Sequence, residues 1–322
     1  MTATRTVDFL RTPDEAFKNL KDYPFKANYI DVGGLRMHYV DEGQDNSGVI
    51  FLLHGQPSWS YLYRHMIPVL VRAGYRVIAP DLIGFGKSDK PVADSEISYR
   101  AQVAWMCSFV RELGISSAAA FMQDWGGMIG LRVLAERPGW LSKVVLANTA
   151  LADVKGLGQV IMPRMLKAMR FLAGRASLDA LAAKQSYGNW ASYFHHDPSP
   201  DIGGIMQILT VHRLEEEVLE AYRAPFPGVR YMAAPRVMPQ IVGTDLREGV
   251  AAWEALRKAD LRVLTLFSDK DPFLADRGID KQFQALPGAQ NQPHQTISNA
   301  SHFLQEDAKA SLAYKMIDWL DG

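Results

Sequence analysis

An apolar run at residues 118–122 passes through Gln123-Asp124-Trp125 into the paired glycines Gly126 and Gly127, and a helical pattern follows over 127–135. A strand that turns into a helix this abruptly belongs in a sheet covered by helices, with the turn residue held out at the strand's end. That residue is an aspartate, where serine is common in such turns. The difference is chemical. A serine alkylated at saturated carbon becomes an ether that water does not cleave, whereas an alkylated carboxylate becomes an ester that it does. Asp124 is therefore expected to displace a leaving group from an alkyl carbon.

Around this turn, β-rich runs at 35–40, 49–53, 76–80, 118–122, 143–147 and 262–267 alternate with helical patterns at 61–73, 100–113, 127–135 and 251–258. Alternation of this kind, with continuously apolar strands, indicates a largely parallel sheet with helices on both faces. The first two strands are expected to form an antiparallel edge. From about 155 to 244 the alternation stops and the text becomes helical, which reads as an insertion over the ends of the central strands. Within it Met162, Met165 and Met169 recur at helical spacing beside Arg164, Lys167 and Arg170. The methionines are expected to turn inward and the basic face to be solvated rather than membrane-bound. The expected division is a core of residues 1–154 and 245–322, interrupted by the insertion at 155–244.

With 322 residues, 48% of them apolar, the chain can bury a large core as one domain or one domain plus an insertion. Thirty-five basic residues balance thirty-five acidic ones, so no overall field draws in nucleic acid or an anionic membrane, and a small neutral partner is expected. Residues 1–14 lack the basic start and apolar stretch of a secretory signal, and no run approaches the ~18 apolar residues of a membrane span. Cytoplasmic residence is the expectation. The single cysteine, Cys107, excludes an internal disulfide and lies in a helical pattern as an expected buried, inert thiol.

Three further segments fit the turn at Asp124. His54-Gly55-Gln56-Pro57 follows an apolar strand, so the Gln56 N–H can face the nucleophile and, with the Trp125 N–H, form an oxyanion hole. Phe267-Ser268-Asp269-Lys270-Asp271-Pro272 ends another strand and supplies an acid. Asp271 is the preferred choice, and Asp269 is read as a solvated turn carboxylate. Asn299-Ala300-Ser301-His302-Phe303 offers a histidine between a strand at 295–297 and the last helix. His195 and His196 are adjacent and lack the helical spacing of a zinc pair. Gly84-Phe85-Gly86-Lys87-Ser88 lacks phosphate-loop spacing and reads as a tight turn after Asp81.

In these residues the chain resembles the haloalkane dehalogenases of the α/β-hydrolase superfamily, most closely their first subfamily. The likeness is densest in His54-Gly55-Gln56-Pro57-Ser58-Trp59, Ala79-Pro80-Asp81-Leu82-Ile83-Gly84-Phe85-Gly86-Lys87-Ser88, Gln123-Asp124-Trp125-Gly126-Gly127 and Ser301-His302-Phe303-Leu304-Gln305-Glu306-Asp307. It implies a mostly parallel eight-stranded sheet flanked by helices, with a helical cap inserted after strand 6. It also implies Asp124 as nucleophile, His302 as base and Asp271 as the acid after strand 7. Asn148 stands where another subfamily carries its acid. Trp125 and the cap's Trp190 would hold halide by their indole N–H groups. Gln56 departs from the glutamate common in the subfamily, and its side chain is expected to add a third halide contact.

Alcohol, halide and a proton would leave, with neither cofactor nor metal. The partners implied are a small apolar haloalkane, water and halide, without nucleic acid or membrane, and the chain is expected to be a monomer or weak homo-oligomer. An epoxide hydrolase shares the aspartate, the histidine–acid pair and the His-Gly-x-Pro turn, but needs O–H donors from cap tyrosines such as Tyr187, Tyr193, Tyr222 or Tyr231. Gln123 and Trp190 favour dehalogenation. A non-catalytic ligand-binding protein on a retired hydrolase fold is the third reading, against which every catalytic position is filled by a competent residue.

Overall fold

A computed structural model describes residues 7–322; residues 1–6 of the N-terminal stretch read above lie outside the described residues. Eight strands, β1 (Asn28–Asp31), β2 (Arg36–Glu42), β3 (Gly48–Leu53), β4 (Tyr75–Pro80), β5 (Ala118–Gln123), β6 (Leu141–Ala147), β7 (Arg262–Ser268) and β8 (Gln295–Ile297), form one sheet in the order β1-β2-β4-β3-β5-β6-β7-β8. From β4 to β8 every pairing is parallel, and β2 runs antiparallel to both β1 and β4. Residues 50–53 of β3 and all of β5 are buried, as strands covered on both faces must be.

The antiparallel edge is made differently from the expectation. Strand 49–53 is central and parallel, and the partner of β2 is β1, a short half-exposed strand whose Asn28 and Asp31 give it no apolar run. Gly33 and Gly34, both at positive φ (86° and 89°), close this hairpin. Glycine carries no Cβ penalty there, and the turn's twist matches that of the flanking strands.

On the core, α1 (Ile67–Arg72), α2 (Tyr99–Leu113) and α3 (Trp125–Glu136) alternate with the strands. Ser98 caps α2 by accepting the Ala101 N–H, and Gly114 ends it in the left-handed region. Between β6 and β7 the chain runs through α4 (Gly158–Leu172), α5 (Leu178–Ala183), α6 (Tyr187–His196), α7 (Ile202–Ile208), α8 (Glu216–Arg223), α9 (Ala233–Val237) and α10 (Leu246–Leu256). The last of these packs back on α3. After β7 come α11 (Ile279–Gln284), α12 (Leu304–Ala308) and α13 (Ala310–Asp321).

Of the three methionines of α4 only Met162 is half-buried, and Met165 and Met169 do not turn inward. Met165 and Met169 are 49% and 39% exposed, and no residue of α4 is buried. The helix rests on α6 through half-buried Met162, Leu166 and Arg170, a stripe offset from the one the methionines define. Apolar residues cover most of its circumference, so their spacing does not identify the inner face. Cys107 is half-buried rather than buried, with its thiol 3.4 Å from Glu136. Burial and that carboxylate push the thiol up to about 12, which keeps it protonated and unreactive.

The intervening helices are fastened to the core by a buried ionic cluster. Arg64 donates to both oxygens of Glu306 in α12, with the Nη2 bond at 2.8 Å, and the hydroxyl of Tyr222 from α8 donates to the same carboxylate. Nearby, Trp59 Nε1 donates to Ala221 O at 3.1 Å and Thr12 Oγ1 to Pro225 O at 2.6 Å. Removing one member leaves the opposite charge buried and uncompensated. Glu306→Ala is expected to lower unfolding free energy by about 3–5 kcal/mol in urea denaturation; a loss under about 1 kcal/mol would mean the cluster is not holding these elements together.

Candidate active site

At the C-terminal end of β5 the backbone passes through Asp124 at φ 49° and ψ −126° before α3 begins. A non-glycine residue there is strained, and the surroundings hold it. Its N–H donates to Asn148 O at 3.0 Å, and its carbonyl accepts Thr149 Oγ1 at 2.6 Å and the N–H of Gly127 at 3.0 Å. Two glycines permit the close approach: a Cβ on Gly126 would lie 2.1 Å from Leu53 O, and one on Gly55 would lie 2.2 Å from Asp124 Oδ1.

The turn after β3 faces this carboxylate. Gln56 N–H donates to Asp124 Oδ1 at 2.8 Å. Trp125 is the first residue of α3, so its N–H is one of the helix's unpaired amino-terminal donors. Gln56 itself is buried, and its Nε2 donates to Pro235 O at 3.1 Å, tying the turn to α9 and leaving one amide hydrogen. His54 is buried and structural: Nε2 accepts the Leu82 N–H at 2.9 Å, and burial lowers its pKa, so it stays neutral.

Opposite, His302 Nε2 lies 3.6 Å from Asp124 Oδ2, and its Nδ1 lies 2.8 Å from Asp271 Oδ2. The N–H groups of Phe273 and Leu274 hold the other oxygen of Asp271 at 2.8 and 3.2 Å. Asp269 instead accepts the N–H groups of Asn299 and Ala300 in the adjoining turn, away from the imidazole. Asn148 binds Ser268, Ser301 O and His302 O, so it fastens the histidine loop to the ends of β6 and β7.

Both tryptophans border this line of residues. Trp125 is 3% exposed and packs edge-on against Tyr99. Trp190 on α6 is 8% exposed, and its ring meets Phe273, which in turn meets His302 at 5.6 Å between centroids. Trp59, Trp253 and Trp319 donate their indole N–H groups within the protein. Neither Trp125 nor Trp190 does so among the described residues, nor is either N–H among the fully buried unpaired donors. Two nearly buried indoles with uncommitted N–H groups suit a ligand that accepts hydrogen bonds and carries none to give.

Other candidates have different employment. The hydroxyls of Tyr187 and Tyr222 donate to Pro239 O and Glu306, so these two are not idle donors for an epoxide oxygen, and that of Tyr193 accepts the Asp201 N–H. The loop at Gly84–Ser88 closes on itself, with Lys90 Nζ donating to Gly86 O and Ser88 O. Among the described residues no group of three His, Cys, Asp or Glu side chains is arranged to hold a metal ion. No described helix is long and apolar enough to cross a membrane.

Sequence reasoning weighed Gln123 only against an epoxide hydrolase, without its contact to His302, and missed Phe273. Gln123 Nε2 lies 3.2 Å from both Nε2 and the carbonyl of His302, and Phe273 stands between His302 and Trp190. Gln123 follows an apolar run and could have been flagged as a polar side chain forced inward. Nothing in the sequence marks Phe273.

Similarity agrees with the architecture. The family model for the alpha/beta hydrolase fold matches residues 48–309, so the chain is an α/β-hydrolase. It is 39% identical to a haloalkane dehalogenase of Mycobacterium marinum over 97% of this chain and 100% of the relative, and 41% identical to one of Mycolicibacterium paratuberculosis over 96% and 97%. The tetrameric haloalkane dehalogenase DpaA of Paraglaciecola agarilytica NO2 superposes with a TM-score of 0.78 at 28% identity, over 96% of this chain and 97% of that one. Within the α/β-hydrolases, the chain belongs to the haloalkane dehalogenases, hydrolases that act on carbon–halide bonds.

Burial disfavours the charged form of His302, but the negative charges and hydrogen bonds of Asp271 and Asp124 outweigh it and push the imidazole up to about 10. Its contribution to stability is therefore fully present below the ordinary value of 6.5 and is lost as pH rises through about 10. Part of the shift belongs to Asp124. In Asp124→Ala the His302 pKa is expected to fall toward 6.5, read by imidazole NMR titration; an unchanged value would show that the two groups are not coupled.

Proposed function

We propose that this chain follows the aspartyl-ester route, with Asp124 as nucleophile, His302 as base and Asp271 as its acid partner. The supporting observation is the single line of groups Gln56 N–H, Asp124, His302 and Asp271, which leaves the two oxygens of Asp124 in different surroundings. Oδ1 is engaged by a backbone donor, and Oδ2, which faces His302 and has no backbone donor among the described residues, is the nucleophile. Oδ2 attacks the halogen-bearing carbon from behind, the carbon–oxygen bond forms as the carbon–halogen bond breaks, and halide departs with the bonding pair.

Halide in this reading is received by the indole N–H groups of Trp125 and Trp190, with the second amide hydrogen of Gln56 directed to the same anion. Fixed donors in a water-poor site replace the hydration the anion would otherwise need. Water then attacks the ester carbonyl while His302 Nε2 takes its proton. The tetrahedral oxyanion is held by the N–H groups of Gln56 and Trp125. Collapse restores the Asp124 carboxylate, and the alcohol leaves with one solvent oxygen now in the aspartate.

The same reading takes residues 155–244 as the cap and residues up to 154 and from 245 as the core. It assigns the chain to the first subfamily, because its acid follows β7 and its second halide donor is a cap tryptophan. The substrate is a small apolar haloalkane, and the cytoplasm is its compartment, in keeping with a lone unreactive thiol.

His302→Ala is expected to let the first step proceed and to stop the second. After exposure to 1-bromobutane, mass spectrometry should find the added butyl group on the peptide containing Asp124, with one equivalent of bromide released; an unmodified peptide would refute the division of roles. Trp190→Phe removes one anion donor while retaining an aromatic ring. It should lower the alkylation rate by roughly 10²-fold and weaken bromide inhibition, and a variant with both unchanged would remove Trp190 from the site.

A further inference from the structure

The outer face of α4 has no counterpart elsewhere in the molecule. Seven of the ten exposed large apolar side chains among the described residues fall between Leu157 and Leu172, and Leu157, Phe171 and Leu172 are 79%, 82% and 82% exposed. A cluster this dense marks an interaction surface rather than scattered surface leucines. Its charge is equally one-sided. From Val154 to Leu178 the chain carries Lys155, Arg164, Lys167, Arg170 and Arg175 and no acidic residue, so the chain's overall neutrality conceals a local excess of five positive charges. Arg164, Lys167 and Arg175 make no salt bridge among the described residues. Beside Phe171 a shallow groove of about 670 Å³ is bordered by Arg164, Lys167, Arg175, His195 and His196.

We propose that this face docks on an anionic phospholipid surface. Apolar side chains on a surface helix enter the boundary between headgroups and acyl chains, while lysine and arginine stems lie along it and carry their charges to the phosphates. Each cation near such a surface is attracted by its negative potential. A second copy fits less well. Two such faces brought together around a twofold axis would oppose Arg164, Lys167 and Arg175 of one copy with the same three cations of the other. A head-to-tail contact would need an acidic patch, and the glutamates at the start of and along α8 are already engaged: the capping Glu215 and Glu217 by Lys21, Glu216 and Glu220 by Arg223. The inference is independent of the chemistry at Asp124.

Co-sedimentation tests it with the intact chain and two kinds of vesicle, phosphatidylcholine alone and phosphatidylcholine with about 30% phosphatidylglycerol. The protein should pellet with the anionic vesicles, be released by added salt and remain in solution with the neutral ones. Phe171→Ser/Leu172→Ser and Arg164→Glu/Lys167→Glu should each lower the partition coefficient by about tenfold or more. Both variants should still release bromide from dissolved 1-bromobutane at the parent rate, which shows that they are folded. Failure to bind anionic vesicles, or equal binding to neutral ones, would overturn the proposal. So would a dimer or tetramer in sedimentation velocity that Phe171→Ser/Leu172→Ser dissolves, since the face would then belong to another copy of the chain.

Discussion

Everything at the centre of this molecule depends on holding one aspartate in a backbone conformation it would not choose. At φ 49° the peptide at Asp124 swings its side chain clear of β5 and turns the chain into α3 within a single residue. Such a geometry survives only where neighbours over-determine it. Here they do so from both sides, with a hydrogen bond to the Asn148 carbonyl and one from the Thr149 hydroxyl, and with glycines where β3 and its following turn press against the elbow. The parallel arrangement matters for the same reason: β3, β5, β7 and β8 all end on one edge, so Gln56, Asp124, Asp271 and His302 meet there on the segments that follow them.

The electrostatics follow from that convergence. Asp124 and Asp271 flank one buried imidazole, and their combined charge keeps it protonated in the resting site despite the cost of burying a cation. A protonated imidazole cannot serve as a base. On the proposed route, esterification removes the charge of Asp124, and with it part of what holds the proton on His302. In this scheme the first chemical step prepares the base for the second, and the order of events is written into the charge balance rather than into any large movement.

Much of this was readable before any coordinates. The runs at 49–53, 118–122 and 262–267 are strands because burial on both faces demands uninterrupted apolar sequence, and such runs announce themselves. Asp124, Asp271 and His302 were legible because each follows a strand, and strand ends are where a parallel sheet gathers its chemistry. β1 was not, since a half-exposed edge strand needs no apolar run and its hairpin is signalled only by Gly33-Gly34. The inner face of α4 was misread because its apolar residues extend well beyond the methionine stripe and most of them stay exposed, so apolar spacing does not point to the side that packs. Gln123 and Phe273 lie beyond sequence reasoning of another kind: their importance is a matter of which ring or carbonyl they reach across the fold.

The cluster of Arg64, Glu306 and Tyr222 pins α8 to α12, and α12 begins two residues beyond His302. That margin of the helical layer is anchored to the loop that carries His302, so lifting it would drag the imidazole out of line with Asp124.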